Sequence, residues 1–166
     1  MLLTEGATPF EVVLGDLTPS GYRLACGMLH DAAAAEDAVQ EAALKAWRKR
    51  AHLRPGADPL PWFLAIVANE CRSMTRRRWW SVLRTESLDP AVAPEEDRVV
   101  RRADLRQAIL RLSPRDRLVV ILFFYLDLPL EEVARIAGLS VGAARARLYR
   151  SVKKLRPGLE FEEALR

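Results

Sequence analysis

The sequence predicts an all-α protein: two small helical domains, a helical bundle and a helix-turn-helix, joined by a flexible linker. Three observations carry this. Ala, Leu, Arg and Glu dominate nearly everywhere, and no alternating apolar run bounded by turns appears. Apolar residues recur at helical spacing in blocks of 8 to 19 residues, as in the stretch from Val141 to Leu155. Proline-rich breaks separate these blocks, and one of them, "SLDPAVAPEED" at 87–97, is acidic and poor in apolar bulk, the composition of a linker.

Taken in order, helices are predicted at 9–16, 20–29, 33–50, 60–78, 99–112, 114–127, 130–137 and 141–155. A gap at 17–19 divides the first two. "LRPGADPLP" at 53–61 carries three prolines and a glycine, so it is a loop. Ser113 before Pro114 places a capping residue ahead of a proline at the first helical position. "LVVILFFYL" at 118–126 is too short to span a bilayer and reads as a buried helix. The predicted domains are 8–84 and 101–158, with the linker at 85–100.

The 166 residues suffice for one ordinary domain or two small ones, and with 50% hydrophobic and 29% charged residues the chain reads as globular rather than disordered. No secretory signal is read in the first ten residues. Two cysteines, Cys26 and Cys71, and two histidines, His30 and His52, form no ligand cluster, so neither a metal nor a disulfide framework is expected. No nucleophile–base pair or phosphate-binding glycine loop stands out, so neither enzymatic activity nor a cofactor is expected.

The charge is more informative. The formal net charge is +4 with a pI near 9.4, and the excess is unevenly placed. Residues 76–84 hold four arginines and no acid, and residues 140–156 hold six Lys/Arg and no acid. Between them, residues 86–97 hold five acids. Two basic blocks flanking an acidic connector imply two contacts with one polyanion.

"LPLEEVARIAGLSVGAARARLYRSVKKL" has the layout of a helix-turn-helix. Val133, Ala134 and Ala137 face inward, Gly138 ends the first helix, Leu139 plugs the turn and Ser140 caps the second helix. In the second helix Val141, Ala144, Leu148, Val152 and Leu155 share one arc, while Ala146, Tyr149, Arg150 and Lys153 occupy the other, flanked by Arg145, Arg147 and Lys154. Arginine can pair with guanine in the major groove, Ala146 can meet a thymine methyl, and the lysines suit phosphates.

In the N-terminal half, Trp62, Phe63, Ile66 and Val67 read as core. Asn69 lies just past that stripe and can read a base edge, with Arg76, Arg77 and Arg78 offered to phosphates. Trp79 and Trp80 either stack on bases or pack on a neighbour. The helix "AEDAVQEAALKAW" buries Ala35, Val39, Ala42, Ala43, Ala46 and Trp47. Its far face holds Asp37, Gln40, Glu41, Leu44 and Arg48. A leucine ringed by polar groups resembles a protein-contact patch, and acids would repel DNA, so this face is expected to meet a cationic protein surface.

Together these motifs resemble the extracytoplasmic-function (ECF) group of bacterial sigma factors, the minimal σ70-type class. "YRLACGMLHDAAAAEDAVQEAALKAWR" looks like regions 2.1 and 2.2, and "PWFLAIVANECRSMTRRR" like regions 2.3 and 2.4. "LSPRDRLVVILFFYLDLPLEEVARIAGLSVGAARARLYR" looks like region 4. The resemblance implies that Asp37, Gln40 and Glu41, with Leu44 at their centre, bind the β′ clamp helices of core RNA polymerase. It implies that the loop at 53–58, including Leu53 and Arg54, captures a flipped −10 base together with Asn69. Arg145, Ala146, Arg147, Tyr149, Arg150 and Lys153 would contact the −35 element, and region 4 would dock on the β flap through apolar surface. Promoter DNA, core polymerase and an anti-sigma factor are the implied partners, in the bacterial cytoplasm, with no membrane contact, no N-terminal inhibitory region and no region 3. Ala43 stands where the family commonly has a bulky apolar residue, and Ser73 where it often has an acid. The competing classes are a helix-turn-helix regulator that acts without polymerase, its N-terminal half serving for dimerisation or sensing, and a protein that merely sequesters a partner. The acidic face and the second basic block argue against the regulator, and nothing favours the third.

Overall fold

The computed structural model describes residues 9–82 and 98–155, with side chains throughout except those of 78–82 and 98–104. Seven α-helices and no strand occur among the described residues. The chain divides into two compact units, 1–71 and 72–166. The dividing point falls inside a helix rather than at a proline-rich break.

In the first unit, α1 (Phe10–Leu29) is a single helix. The sequence expectation of a break near Pro19 is corrected: the proline sits inside the helix. Proline removes one donor and crowds the carbonyl four residues back, here that of Gly15. The Thr18 hydroxyl donates to the Leu14 carbonyl at 2.9 Å. Leu17, Gly21, Leu24, Ala25 and Met28 form the buried stripe. The helix ends at His30, in the left-handed conformation with φ 56°.

Helix α2 (Ala32–Lys49) starts at Asp31, whose carboxylate accepts the Ala34 N–H at 3.0 Å. Its buried residues are Ala35, Ala38, Val39, Ala42 and Ala46, small enough to let α1 lie close. The predicted phase holds, with Ala38 added, and with Ala43 and Trp47 half-buried. Helix α3 (Pro59–Val82) opens on an Asp58 carboxylate that accepts the Leu60 N–H at 3.0 Å. It runs four residues past the predicted end. Phe63, Leu64, Val67, Ala68 and Cys71 are fully buried, whereas Trp62 and Ile66 are only half-buried, a second correction. Gly21 is where α1 meets α3: a Cβ there would lie 2.7 Å from the Phe63 ring and 3.2 Å from Val67. The Phe10 ring closes one end against Trp47 at 5.9 Å and Trp62 at 6.3 Å.

In the second unit, α4 (Arg98–Arg111) leads to α5 (Pro114–Val120), capped by Ser113, whose hydroxyl accepts the Asp116 N–H at 3.2 Å. The Arg117 guanidinium donates to the carbonyls of Ile109, Leu110 and Leu112 at 3.2, 2.7 and 3.2 Å. It thereby supplies donors to carbonyls at and just past the C-terminal end of α4, where the Ile109 carbonyl also accepts the Leu112 N–H at 3.1 Å.

The predicted helix at 114–127 changes character at Ile121. Residues 121–125 widen into one π-helical turn, closed by the Leu126 N–H on the Ile121 carbonyl at 3.0 Å. The wider turn rotates the end of the apolar run outward. Residues 118–122 are buried, but Phe124 and Tyr125 are 48% and 60% exposed. The buried-helix reading of that run is thus corrected at its C-terminal end.

Helix α6 (Leu130–Ala137) ends at Gly138 with φ 69°, the Leu139 N–H returning to the Ala134 carbonyl at 2.8 Å. Helix α7 (Val141–Leu155) then begins, with the Ser140 hydroxyl accepting the Ala143 N–H at 3.2 Å. The predicted turn geometry is therefore present. The packing faces differ in detail. Ile136 is buried and Ala137 half-buried; Val141 is 38% exposed rather than core. Ser151 is fully buried, its hydroxyl satisfied by the Arg147 carbonyl at 2.8 Å.

Candidate nucleic-acid and protein interfaces

The far face of α2 is built by burial of the near one. With Ala35, Ala38, Val39 and Ala42 turned inward, Asp37 and Gln40 are exposed, Glu41 is half-buried and Leu44 is 51% exposed. The four residues named from sequence share one helix face, an apolar centre with an acidic and amide rim.

Lys45, beside Leu44 in sequence, links this face to α3. Its ammonium lies 2.7 Å from Glu70 and 3.6 Å from Glu41. Glu70 is only 6% exposed. Its hydrogen bond to Lys45, with the charges of Glu70 and Glu41 and against a burial effect of opposite sign, holds the ammonium above the usual lysine range. Sequence reasoning missed this pair. The signal was present: Glu70 lies seven residues after Phe63 and three after Val67, on the arc that those two bury.

On α3, Asn69 adjoins the buried Glu70 but is itself exposed. Arg76 and Arg77 are exposed, and Arg77 donates to the Ser73 hydroxyl at 3.1 Å, so Ser73 serves as a neutral anchor where an acid was the family expectation. The side chains of Arg78, Trp79 and Trp80 lie outside the described residues. Ahead of α3, Leu53 is half-buried and Arg54 exposed; the Arg54 carbonyl accepts the Ala57 N–H at 3.1 Å around Gly56, at φ 76°. The loop's N-terminal root is held by Arg50, whose guanidinium lies 4.2 Å from the Trp47 ring centre and donates to the Trp47 carbonyl at 2.7 Å.

On α7, Arg145, Ala146, Tyr149, Arg150 and Lys153 are exposed. Arg147 is half-buried, its Nε 3.9 Å from Asp116, and Lys154 lies 2.8 Å from the same carboxylate. Among the described residues no cluster of His, Cys, Asp or Glu could hold a metal ion, and both cysteines are free thiols. No described helix is long and apolar enough to cross a membrane.

These features define a protein of two helical modules, one carrying an acidic-rimmed apolar face beside a basic helix, the other a complete helix-turn-helix with a basic outer face. Residues 16–81 match Sigma-70 region 2, and residues 102–155 match Sigma-70, region 4. The RNA polymerase sigma factor CarQ of Myxococcus xanthus is 31% identical over 151 residues, covering 89% of this chain and 87% of its own. SigV of Bacillus subtilis, also an RNA polymerase sigma factor, is 31% identical over 86% of each chain. Among solved structures, the sigma factor RpoE of Bartonella quintana, in complex with the anti-sigma factor NepR, superposes with a TM-score of 0.78 at 25% identity, covering 91% of this chain and 96% of that one. The chain belongs to the ECF sigma factors, the two-region members of the σ70 family.

Proposed function

We propose that this protein binds core RNA polymerase and gives it promoter specificity, without itself catalysing a reaction, in the bacterial cytoplasm. Residues 8–84 act as region 2 and 101–158 as region 4, with 85–100 as the tether. The observation that carries this reading is Leu44, exposed within the ring of Asp37, Gln40 and Glu41 in a chain whose other functional surfaces are basic. Such a face suits a cationic protein surface, the β′ clamp helices, and would repel DNA.

Asn69, with Leu53 and Arg54 in the preceding loop, holds an unstacked −10 base, offsetting an unstacking cost of roughly a few kcal/mol. Arg76, Arg77 and Arg78 hold the backbone there. Arg145, Ala146, Tyr149 and Arg150 read the −35 element, with Lys153 on phosphate. The exposed pair Phe124 and Tyr125 supplies apolar surface for the β flap. The NepR complex of the RpoE neighbour supports an anti-sigma partner for this chain as well.

Run-off transcription with purified core polymerase, with and without this protein, tests the reading. Initiation from a specific start site only when the protein is added is expected. Binding to palindromic DNA with no effect on polymerase would establish the regulator instead, a reading that the polymerase-subunit relatives do not support.

A further inference from the structure

Helix α7 and its flanks carry six cations and no acid of their own at 140–156. Every cation that reaches a phosphate adds affinity for any sequence at all, so such a helix is intrinsically unselective. The compensating charge comes from another helix. Asp116 lies in the first turn of α5, its backbone N–H fixed on the Ser113 hydroxyl at 3.2 Å. Its carboxylate faces α7, one oxygen 2.8 Å from the Lys154 ammonium and the other 3.9 Å from Arg147 Nε. The side chain is only 16% exposed, so the carboxylate is shielded against the helix it faces.

Arg147 and Lys154 are seven residues apart, two turns of helix, and so lie within about 20° of each other around α7. They sit about 80–100° from Ala146 and about 140–160° from Tyr149, on the shoulder of the helix between Arg150, about 40–60° away, and the buried Ser151, so it is the contact with Asp116 rather than their angle that sets them apart from Arg145 and Arg150. Both were grouped by sequence with the DNA-contacting cations.

We propose that Asp116 is a specificity-determining residue: by pairing with Arg147 and Lys154 it withholds them from the DNA backbone, leaving Arg145, Tyr149, Arg150 and Lys153 as the surface of α7 that meets DNA. The inference rests on the reading of α7 as the recognition helix. Asp116 acts at a distance from the groove. It sets the ratio of base contacts to phosphate contacts, and so the margin between a promoter and random duplex.

The test uses the full chain bound to core polymerase and a duplex pool of randomised sequence, with affinity measured across a salt series. Lys154→Gln keeps the wild-type salt slope, because Lys154 makes no phosphate contact in the native protein; a slope shallower by about one unit overturns the proposal. Asp116→Asn keeps the size of the side chain and the Ser113 cap but frees both cations. The slope steepens by about one to two units, worth roughly three- to fourfold in affinity per freed cation between 50 and 200 mM salt. The sequences recovered from the pool broaden. Asp116→Asn with Lys154→Gln returns about one unit of slope toward wild type. An unchanged slope in Asp116→Asn, with its thermal melt intact, also overturns the proposal. Wild-type holoenzyme that recovers no sequence motif upstream of the −10 region would instead sink the reading of α7 itself, so the two failures are distinguishable.

Discussion

Single residues in this protein decide whether two helices touch and, in the function proposed above, whether one face meets a partner. Gly21 is the clearest case for packing. A methyl group there would sit 2.7 Å from an edge atom of Phe63, a ring with no exposure, so the ring or the helix must shift. Gly21→Ala should therefore cost about 1–3 kcal/mol, read as a lower denaturation midpoint, despite alanine's better helix propensity. Leu44 is the case for binding. At 51% exposure it has little packing to lose, so Leu44→Ala should change stability by less than about 0.5 kcal/mol. It should nevertheless weaken polymerase binding measurably in a competition assay against wild type. A large loss of stability would contradict the exposed position. Arg150→Ala should cost about 1–3 kcal/mol at the preferred −35 sequence and much less on random duplex, if it contacts a base.

At the scale of elements, two polar links stand out, and they differ in depth. Arg117 ties α5 to the end of α4 through three carbonyls, and burial pushes its guanidinium pKa down without removing its charge at any ordinary pH. Arg117→Met removes three donors from those carbonyls, of which, among the described residues, only that of Ile109 keeps a backbone partner in the Leu112 N–H, and a loss of about 2 kcal/mol in the second module is expected from chemical denaturation. The Lys45–Glu70 link between α2 and α3 is pH-dependent, and its sign follows from the raised lysine pKa. The folded state holds that proton more tightly than the unfolded state. The stabilisation is complete below the ordinary lysine value and is lost as pH rises through the higher folded one. Above about pH 10 the wild-type melting temperature should fall more steeply than that of Lys45→Met. Tyr22 is also shifted upward, chiefly by its hydrogen bond with Cys26, and titrates in the same direction in both proteins. The difference between the two curves therefore isolates Lys45.

For the whole molecule, the proposed function depends on two modest interfaces acting through one covalent chain. Tethering raises the effective concentration of the second contact once the first has formed, worth roughly 10²–10⁴-fold in overall affinity. Cleaving the chain within 85–97 should leave each module folded but reduce promoter-dependent transcription by a factor in that range, in the run-off assay. Asp37→Arg with Glu41→Arg should abolish co-purification with core polymerase while lowering the melting temperature only modestly, since Asp37 is exposed and Glu41→Arg loses just the 3.6 Å contact with Lys45 at the edge of the Lys45–Glu70 link.

Much of this was legible in the chain itself. Helical periodicity, breakers and caps respond to neighbours three or four residues away, so a linear reading recovers them. It gave the all-α class, the Gly138 turn and Ser140 cap, and the phase of α2 that puts Leu44 outside. It erred where local rules were overridden by surroundings. Pro19 lies inside α1 because the packed stripe on either side of it carries the helix through. The run at 118–126 looked uniformly buried, yet a π-turn exposes Phe124 and Tyr125. Val141 obeys the apolar arc but lies too near the helix start to be covered.

The sequence by itself determined most of the helical segments, where α7 begins, and the separation of acidic from basic surfaces, because these follow from residue type and spacing of 3.6 per turn. Only the tertiary structure decided which charges are spent internally. Lys45 and Glu70 are 25 residues apart, and Lys154 and Asp116 are 38 apart. Nothing local distinguishes a cation that will meet DNA from one already paired across a helix–helix contact. Charge pairing acts through space, and the spacing that brings these groups within 3 Å exists only after the helices have packed.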